Sequence, residues 1–395
     1  MIEKKMYEPG GEMIKKTYLD NGSTAFPKAP GVGEAMCHFI NEVGCNIGRG
    51  GYETAYDLAE KIYDTRSLLC ELFHFSDEKH VVFTPSVTYS LNFLINGLLK
   101  KGDHVIISAM EHNAVARPCE RLKQYGVELS IAPCDREGKL DYEVFESLFK
   151  ENTKLVVMNH VSNVCGTVLD AERVGRICKK KGVFFALDSA QSAGVIDIDF
   201  NKFGLSALCV TGHKGLLGPQ GIGALLLTPE IARQIEPTIC GGTGSASHLL
   251  EMPDFMPDKF EPGTLNLPGI IGLNEALKYV IKTGTKEIYA HEMELAASFI
   301  EAVSQYEGVN VVGMKGKTGR TGTVSLDFSK KDNAEVAYLL DAEYGIMTRC
   351  GLHCAPLAHQ SLGTFPQGTV RFAFGYRNTE EDVAYTLNAL KEILG

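Results

Sequence analysis

The sequence predicts an α/β protein: a mainly parallel sheet covered on both faces by helices, joined to a smaller α+β lobe. Three observations carry this. Short apolar runs recur from about residue 80 to 228, helical patterns lie between several of them, and 395 residues exceed what one hydrophobic core usually supports.

Residues 1–16 are polar, contain Pro9-Gly10-Gly11, and read as a loosely held N-terminal arm. The runs "HVVF" (80–83), "HVIIS" (104–108), "KLVVMN" (154–159), "VFFALD" (183–188), "ALCVTG" (207–212) and "GALLLT" (223–228) read as buried strands. Between them, 141–150 and 170–182 read as helices, with Asp141 and Asp170 at their starts and Gly182 as a stop. Such alternation implies right-handed crossovers and a parallel sheet. Residues 241–264, rich in glycine, serine and proline, read as a long ordered loop of the functional kind. Beyond it, 272–284 and 286–306 read as helices and 321–328 and 368–375 as strands of the smaller lobe. The expected division is a large domain over 17–270, its segment to about residue 29 able to pack with the small domain, and a small domain over 271–395.

The net charge of −10 argues against nucleic acid or an anionic membrane as the main partner. No apolar run reaches 18 residues, and the first 16 contain no apolar signal core. The eleven cysteines show no framework spacing, so a cytoplasmic setting with reduced thiols is expected, most of them serving as small core residues.

Five strand ends carry chemistry. "VTGHKGLLGPQGIGALLL" (210–227) places Lys214 in a glycine-dense turn after Thr211 and His213. A surface lysine is the ordinary reading. Glycines on both sides, however, let something flat approach the amine, and a desolvated lysine suits Schiff-base chemistry. "VFFALDSAQSAG" ends a strand on Asp188, followed by Gln191; a carboxylate there either caps the next helix or faces the ligand crevice, where it would hold a pyridine nitrogen protonated. "FTPSVTYS" puts Ser86-Val87-Thr88 at a helix start, which suits a phosphate or plain N-capping. His112 and Asn163 follow two further strands. Singly these are weak signals. In chain order they supply what a pyridoxal phosphate site needs. "GMKGKTG" (313–319) is no phosphate loop, because Val311 stands where such a loop requires glycine.

The chain resembles the class V aminotransferases of pyridoxal phosphate fold type I, specifically the group II cysteine desulfurases and their selenocysteine lyase relatives. The resemblance rests on "YLDNGSTAFPKA" (18–29), "NIGRGGYETA" (46–55), "EHNA", "HVSNVCGT", "DSAQSAG", "TGHKGLLGPQG", "FEPGTLN" (260–266), "RCGLHCAP" and "VRFAFGYRNTEEDV" (370–383). It implies a seven-stranded-type large sheet, pyridoxal 5'-phosphate as cofactor and a homodimer with shared sites. Lys214 would be the Schiff-base lysine, Asp188 the pyridinium partner, Gln191 a donor to the ring's phenolic oxygen, and His112 the stacking residue. Val87, Thr88, Thr211 and His213 would hold the phosphate, joined by Thr264 of a second subunit. Asn163 and Arg371 would hold the substrate carboxylate, with Arg349, from the active-site loop motif that carries Cys354, as a further substrate-binding residue. Cys354 would take sulfur from L-cysteine and pass it to an acceptor protein, with L-selenocysteine as the other candidate substrate. Iron–sulfur assembly, selenium metabolism and tRNA thiolation all stay open as destinations, and a selenocysteine lyase or cysteine β-lyase is the rival activity.

The resemblance has departures. Ser86-Val87 replaces the family's commoner phosphate-loop residues, and Cys350 stands where relatives carry Ser or Thr. No metal site is expected, since no second Cys or His pair with ligand spacing accompanies "TRCGLHCAP" (348–356). Arg349 and His353 are expected to favour the Cys354 thiolate. Cys350 reads as core filler or as a neighbour able to form a disulfide.

Overall fold

The computed structural model describes residues 15–47 and 51–395. Most of the expected N-terminal arm and the centre of "NIGRGGYETA" lie outside them. The strands are β1 (Thr17–Tyr18), β2 (Val81–Thr84), β3 (His104–Ser108), β4 (Glu128–Ala132), β5 (Thr153–Asn159), β6 (Phe184–Asp188), β7 (Ala207–Thr211), β8 (Gly223–Leu227), β9 (Val309–Val312), β10 (Thr323–Phe328), β11 (Ile346–Met347), β12 (Arg349–Gly351) and β13 (Thr369–Ala373).

Seven strands form the large sheet in the order β2-β8-β7-β6-β5-β3-β4. β8 runs antiparallel to both neighbours, and the remaining pairs are parallel. Every residue of β2, β3, β6 to β8 and β5 is buried or nearly so, as expected of strands covered on both faces. β4 was not among the expected strands. It is the sheet edge, and its sequence ELSIA leaves Glu128 and Ile131 exposed, so no continuous apolar run marks it. One core lies on each face of the sheet: Phe73, Met158, Phe185 and Leu208 on one side, Leu94, Ile107, Val157 and Cys209 on the other.

The helix Leu267–Thr283 packs Leu273 and Leu277 into the first of these cores. The second sheet, β12-β13-β10-β9, is antiparallel throughout and has its own core around Phe299, Leu326 and Phe372. β1 pairs in parallel with β11, which delivers residues 19–28 to the seam between the two sheets.

The loop 241–264 has little regular structure, as expected, but it is anchored. Glu261 pairs with Arg66 at 2.8 Å and accepts the Phe83 N–H at 2.6 Å; Arg66 also donates to the Val81 carbonyl and lies over the Phe83 ring. Both charges are buried, so removing either partner would cost about 3–5 kcal/mol.

Candidate active site

The C-terminal ends of the parallel strands open on a cavity of about 270 Å³, close to the lower end of the usual ligand-pocket range of roughly 300–1,000 Å³. Ser86, Val87, Thr88, His112, Asn163, Asp188, Gln191, Thr211, His213, Lys214, Arg349, Cys354 and Arg371 all line it. The seam thus gathers residues from both sheets and from nearly the whole length of the chain.

Lys214 follows β7. Burial lowers its pKa to about 8, Arg371 and Arg349 push in the same direction, and Asp188 opposes them. Asp188 ends β6, is buried, and accepts the Ala190 N–H at 2.9 Å; burial raises its pKa. The glycines around Lys214 do not serve the purpose expected of them. A Cβ on Gly215 would stand 2.5 Å from the Ala193 carbonyl, and one on Gly223 would stand 2.4 Å from that of Val210. They let the lysine turn press onto neighbouring backbone instead of clearing room for a ligand.

Ser86 precedes the helix Val87–Leu98 but makes no side-chain cap, so plain N-capping is not its use. His112 is the N-cap of Asn113–Leu122, its Nδ1 accepting the Ala114 N–H at 3.0 Å. Burial, then Lys214, lowers its pKa to about 4. The ring is therefore neutral with its proton on Nε2. His213 is likewise lowered to about 4, by burial and Lys214.

On the opposite wall, Arg371 from β13 is 2 % exposed and donates to the Asn163 carbonyl at 2.9 Å, to Asp20 at 2.8 Å and to Ser23 at 2.8 Å. Arg349 donates to Ser23 at 2.8 Å. Gln191 commits one amide hydrogen to the Gly22 carbonyl at 2.9 Å, which leaves the other for a ligand. The expectation for the Asn163 side chain is only partly met: its Nδ2 donates to the His353 carbonyl at 2.7 Å, leaving Oδ1, an acceptor, without a partner.

Cys354 is exposed at the pocket, and the Asn113 N–H donates to its carbonyl at 2.7 Å. His353 and Cys354 both have left-handed backbone, φ 48° and 57°. His353 does not act as the expected cation. Buried at 4 % exposure against Thr369 and His359, it is lowered to about 2 by burial and by Arg371, so the charge near Cys354 belongs to Arg349. Cys350 lies outside the pocket lining, half-buried at the edge of the β12-β13-β10-β9 core, and every cysteine among the described residues is free. Filler is the reading this supports. Thr264 also lies away from this pocket, exposed in a cleft with Tyr89 and Phe260.

A model of the aminotransferase class-V family matches residues 17–386. The chain belongs to the aminotransferase class-V family. It is 33% identical over 384 residues to a probable cysteine desulfurase of Methanothermobacter thermautotrophicus, covering 96% of this chain and 94% of the other. A second probable cysteine desulfurase, from Pyrococcus abyssi, is 32% identical over 95% of this chain and 94% of its own. Among solved structures, the apo cysteine desulfurase of Thermococcus onnurineus superposes with a TM-score of 0.90 at 31% identity, covering 96% and 94% of the two chains. CsdA of Escherichia coli, a cysteine desulfurase solved in an S-sulfonic acid form, gives 0.85 at 27% identity over 96% and 95%.

The cofactor of this family is pyridoxal 5'-phosphate, and the residues present fit it. Thr211 Oγ1, His213 Nδ1, Asn163 Oδ1 and Arg371 Nε are buried around the pocket without partners, and a ligand with acceptor and donor groups would satisfy such atoms. Sequence reasoning missed Asp20, Gly22 and Ser23. The stretch "YLDNGST" was visible as a motif, but only its place against Arg371 shows what it does.

Proposed function

We propose that the protein is a cysteine desulfurase that converts L-cysteine to L-alanine, taking the sulfur as a persulfide on Cys354 before passing it to an acceptor protein. The carrying observation is that Cys354 opens into the same pocket as Lys214 and Asp188. Pyridoxal phosphate, when bound, supplies an electron sink for charge developing at the substrate Cα. Lys214 anchors it and then, as a neutral amine, removes the Cα proton, a role that suits a lysine lowered to about 8. Asp188 would keep the ring nitrogen protonated; Val87, Thr88, Thr211 and His213 would hold the phosphate, Gln191 would donate to the ring oxygen, and His112 would stack on the ring.

Arg371 and Arg349 fix the substrate carboxylate, while Asn163 orients both cofactor and cysteine turn. Cys354 Sγ, as thiolate, attacks the substrate sulfur: the S–S bond forms, the C–S bond breaks and its electron pair passes to Cβ; one proton added at Cβ and the one Lys214 removed, returned to Cα, then give alanine. The Nε2–H of His112 is left to donate a hydrogen bond to the substrate sulfur. The exposed Thr264 is proposed to complete the phosphate site of a second subunit in a homodimer. The net charge, the free cysteines and the absence, among the described residues, of a helix long and apolar enough to cross a membrane support a cytoplasmic setting.

Purified holoenzyme with L-cysteine tests the reading. Alanine together with a persulfide that disappears in Cys354→Ser supports it. Pyruvate and sulfide formed regardless of Cys354 would show a β-lyase and overturn it.

A further inference from the structure

Residues 20–28 cross the pocket and touch four of its working groups. Ser23 contacts Arg349 and Arg371, the Gly22 carbonyl accepts from Gln191, and Thr24 and Lys28 donate to the His213 carbonyl beside Lys214 at 3.1 Å and 3.0 Å. Asp20 and Ser23 do the most with the least. A serine hydroxyl has one donor and two acceptor positions. Ser23 uses all three: it donates to Asp20 at 2.7 Å and accepts from Arg349 and from Arg371, each at 2.8 Å.

We propose that Asp20 and Ser23 are specificity-determining residues: they couple Arg349 to Arg371 and neutralise one of the two guanidiniums, so the site takes an amino acid bearing a single carboxylate. This rests on the reading that the carboxylate of an α-amino acid meets Arg371.

Three observations support the assignment. Arg371 spends Nη1 on the Asn163 carbonyl and Nη2 on Asp20 and Ser23, while its buried Nε has no partner, so a donor stays ready for an incoming carboxylate. Arg349 is exposed and would be free to swing without Ser23. The charges at the two arginines also balance toward one anion: Asp20 pairs with Arg371 at 2.8 Å, leaving one of the two guanidinium charges unmatched. Gly22 belongs to the same device. A Cβ there would stand 3.0 Å from Arg371 Cζ, so a side chain at residue 22 would push the guanidinium by a few tenths of an ångström from its place against Asp20 and Ser23.

The test uses holoenzyme and the dissociation constants of L-alanine and L-aspartate, read from the absorbance change of the bound cofactor, with melting temperature as the check on folding. Wild type is expected to bind L-alanine at least about tenfold more tightly than L-aspartate, since the second carboxylate finds no unmatched cation. Ser23→Ala should weaken both amino acids about tenfold, as loss of a hydrogen bond between charged partners does, and leave their ratio unchanged. Asp20→Asn should raise L-aspartate affinity relative to L-alanine about tenfold, and added salt should shrink that gain. Equal binding of the two amino acids by wild type overturns the assignment. So does an unaltered ratio in Asp20→Asn, or unaltered L-alanine binding in Ser23→Ala. Failure of wild type to bind L-alanine at all strikes the proposed activity instead.

Discussion

Asn163 and His353, 190 positions apart in sequence, are joined by one hydrogen bond: the Asn163 amide donates to the His353 carbonyl at 2.7 Å. The next carbonyl, that of Cys354, accepts the Asn113 N–H at 2.7 Å. Two bonds from the large-sheet side therefore hold a turn whose two residues sit in left-handed backbone, a conformation costing about 1–3 kcal/mol per residue. Asn163→Ala should release it. Because an error of about 1 Å in a reacting group can cost a hundredfold, single-turnover persulfide formation is expected to slow about 10–100-fold. Cofactor lost in proportion to activity would point to ligand binding as the role of Asn163 instead.

Gly22→Ala pushes a methyl group to 3.0 Å from Arg371 Cζ and 3.3 Å from Ala373 Cβ. The guanidinium must give by a few tenths of an ångström, so KM for L-cysteine is expected to rise a few-fold, up to about tenfold, while cofactor binding stays intact. An unchanged KM would mean that Arg371 does not meet the substrate carboxylate.

Cys350→Ser under mild oxidant should lose activity at the same rate as wild type, because Cys350 is half-buried in the small core and outside the pocket lining. Slower loss in the variant would restore a disulfide with Cys354 to consideration.

Acid stability follows from buried histidines. His112, His160, His213 and His359 are lowered to about 4 and His353 to about 2, each chiefly by burial. Their folded pKa values lie below the ordinary 6.5, so the unfolded chain binds more protons in between. The stability they support is complete above about 6.5 and is lost as pH falls through about 4. Denaturation midpoints should drop steeply between those values. His160→Gln, at a buried position away from Cys354, should make the slope shallower by about one proton; an identical slope would show that His160 is not the titrating group.

Glu292 runs the other way. Buried beside Gly322, it is raised to about 8 by burial, so the folded protein holds a proton that the unfolded chain releases above its ordinary carboxyl range. Its contribution is complete below about 4.5 and is lost as pH rises through about 8. Glu292→Gln should therefore raise Tm by roughly 3 °C or more at pH 8 and change little at pH 5. The same shift at both pH values would mean packing, not ionisation, is responsible.

The large sheet was legible because a strand covered on both faces must be apolar throughout, and Val105-Ile106-Ile107 or Leu225-Leu226-Leu227 can hardly be anything else. β4 was hidden because an edge strand tolerates Glu128. Lys214, Asp188 and Cys354 stand on strand ends and in motifs, where sequence order maps onto space. Asp20 and Ser23 act across about 350 positions, a relationship no local pattern carries. The neutral state of His353 was equally out of reach, since its burial depends on Thr369 and His359 coming from other elements.

The clasp between Asp20 and Arg371 joins the two extremes of the described chain, separated by 351 positions. During synthesis, every strand of the large sheet and Lys214 itself would be made well before Arg371 appears. A nascent chain could thus fold the lysine turn and the large sheet before the strap of residues 20–23 has its anchor, and a chain truncated before residue 371 would lack that anchor altogether.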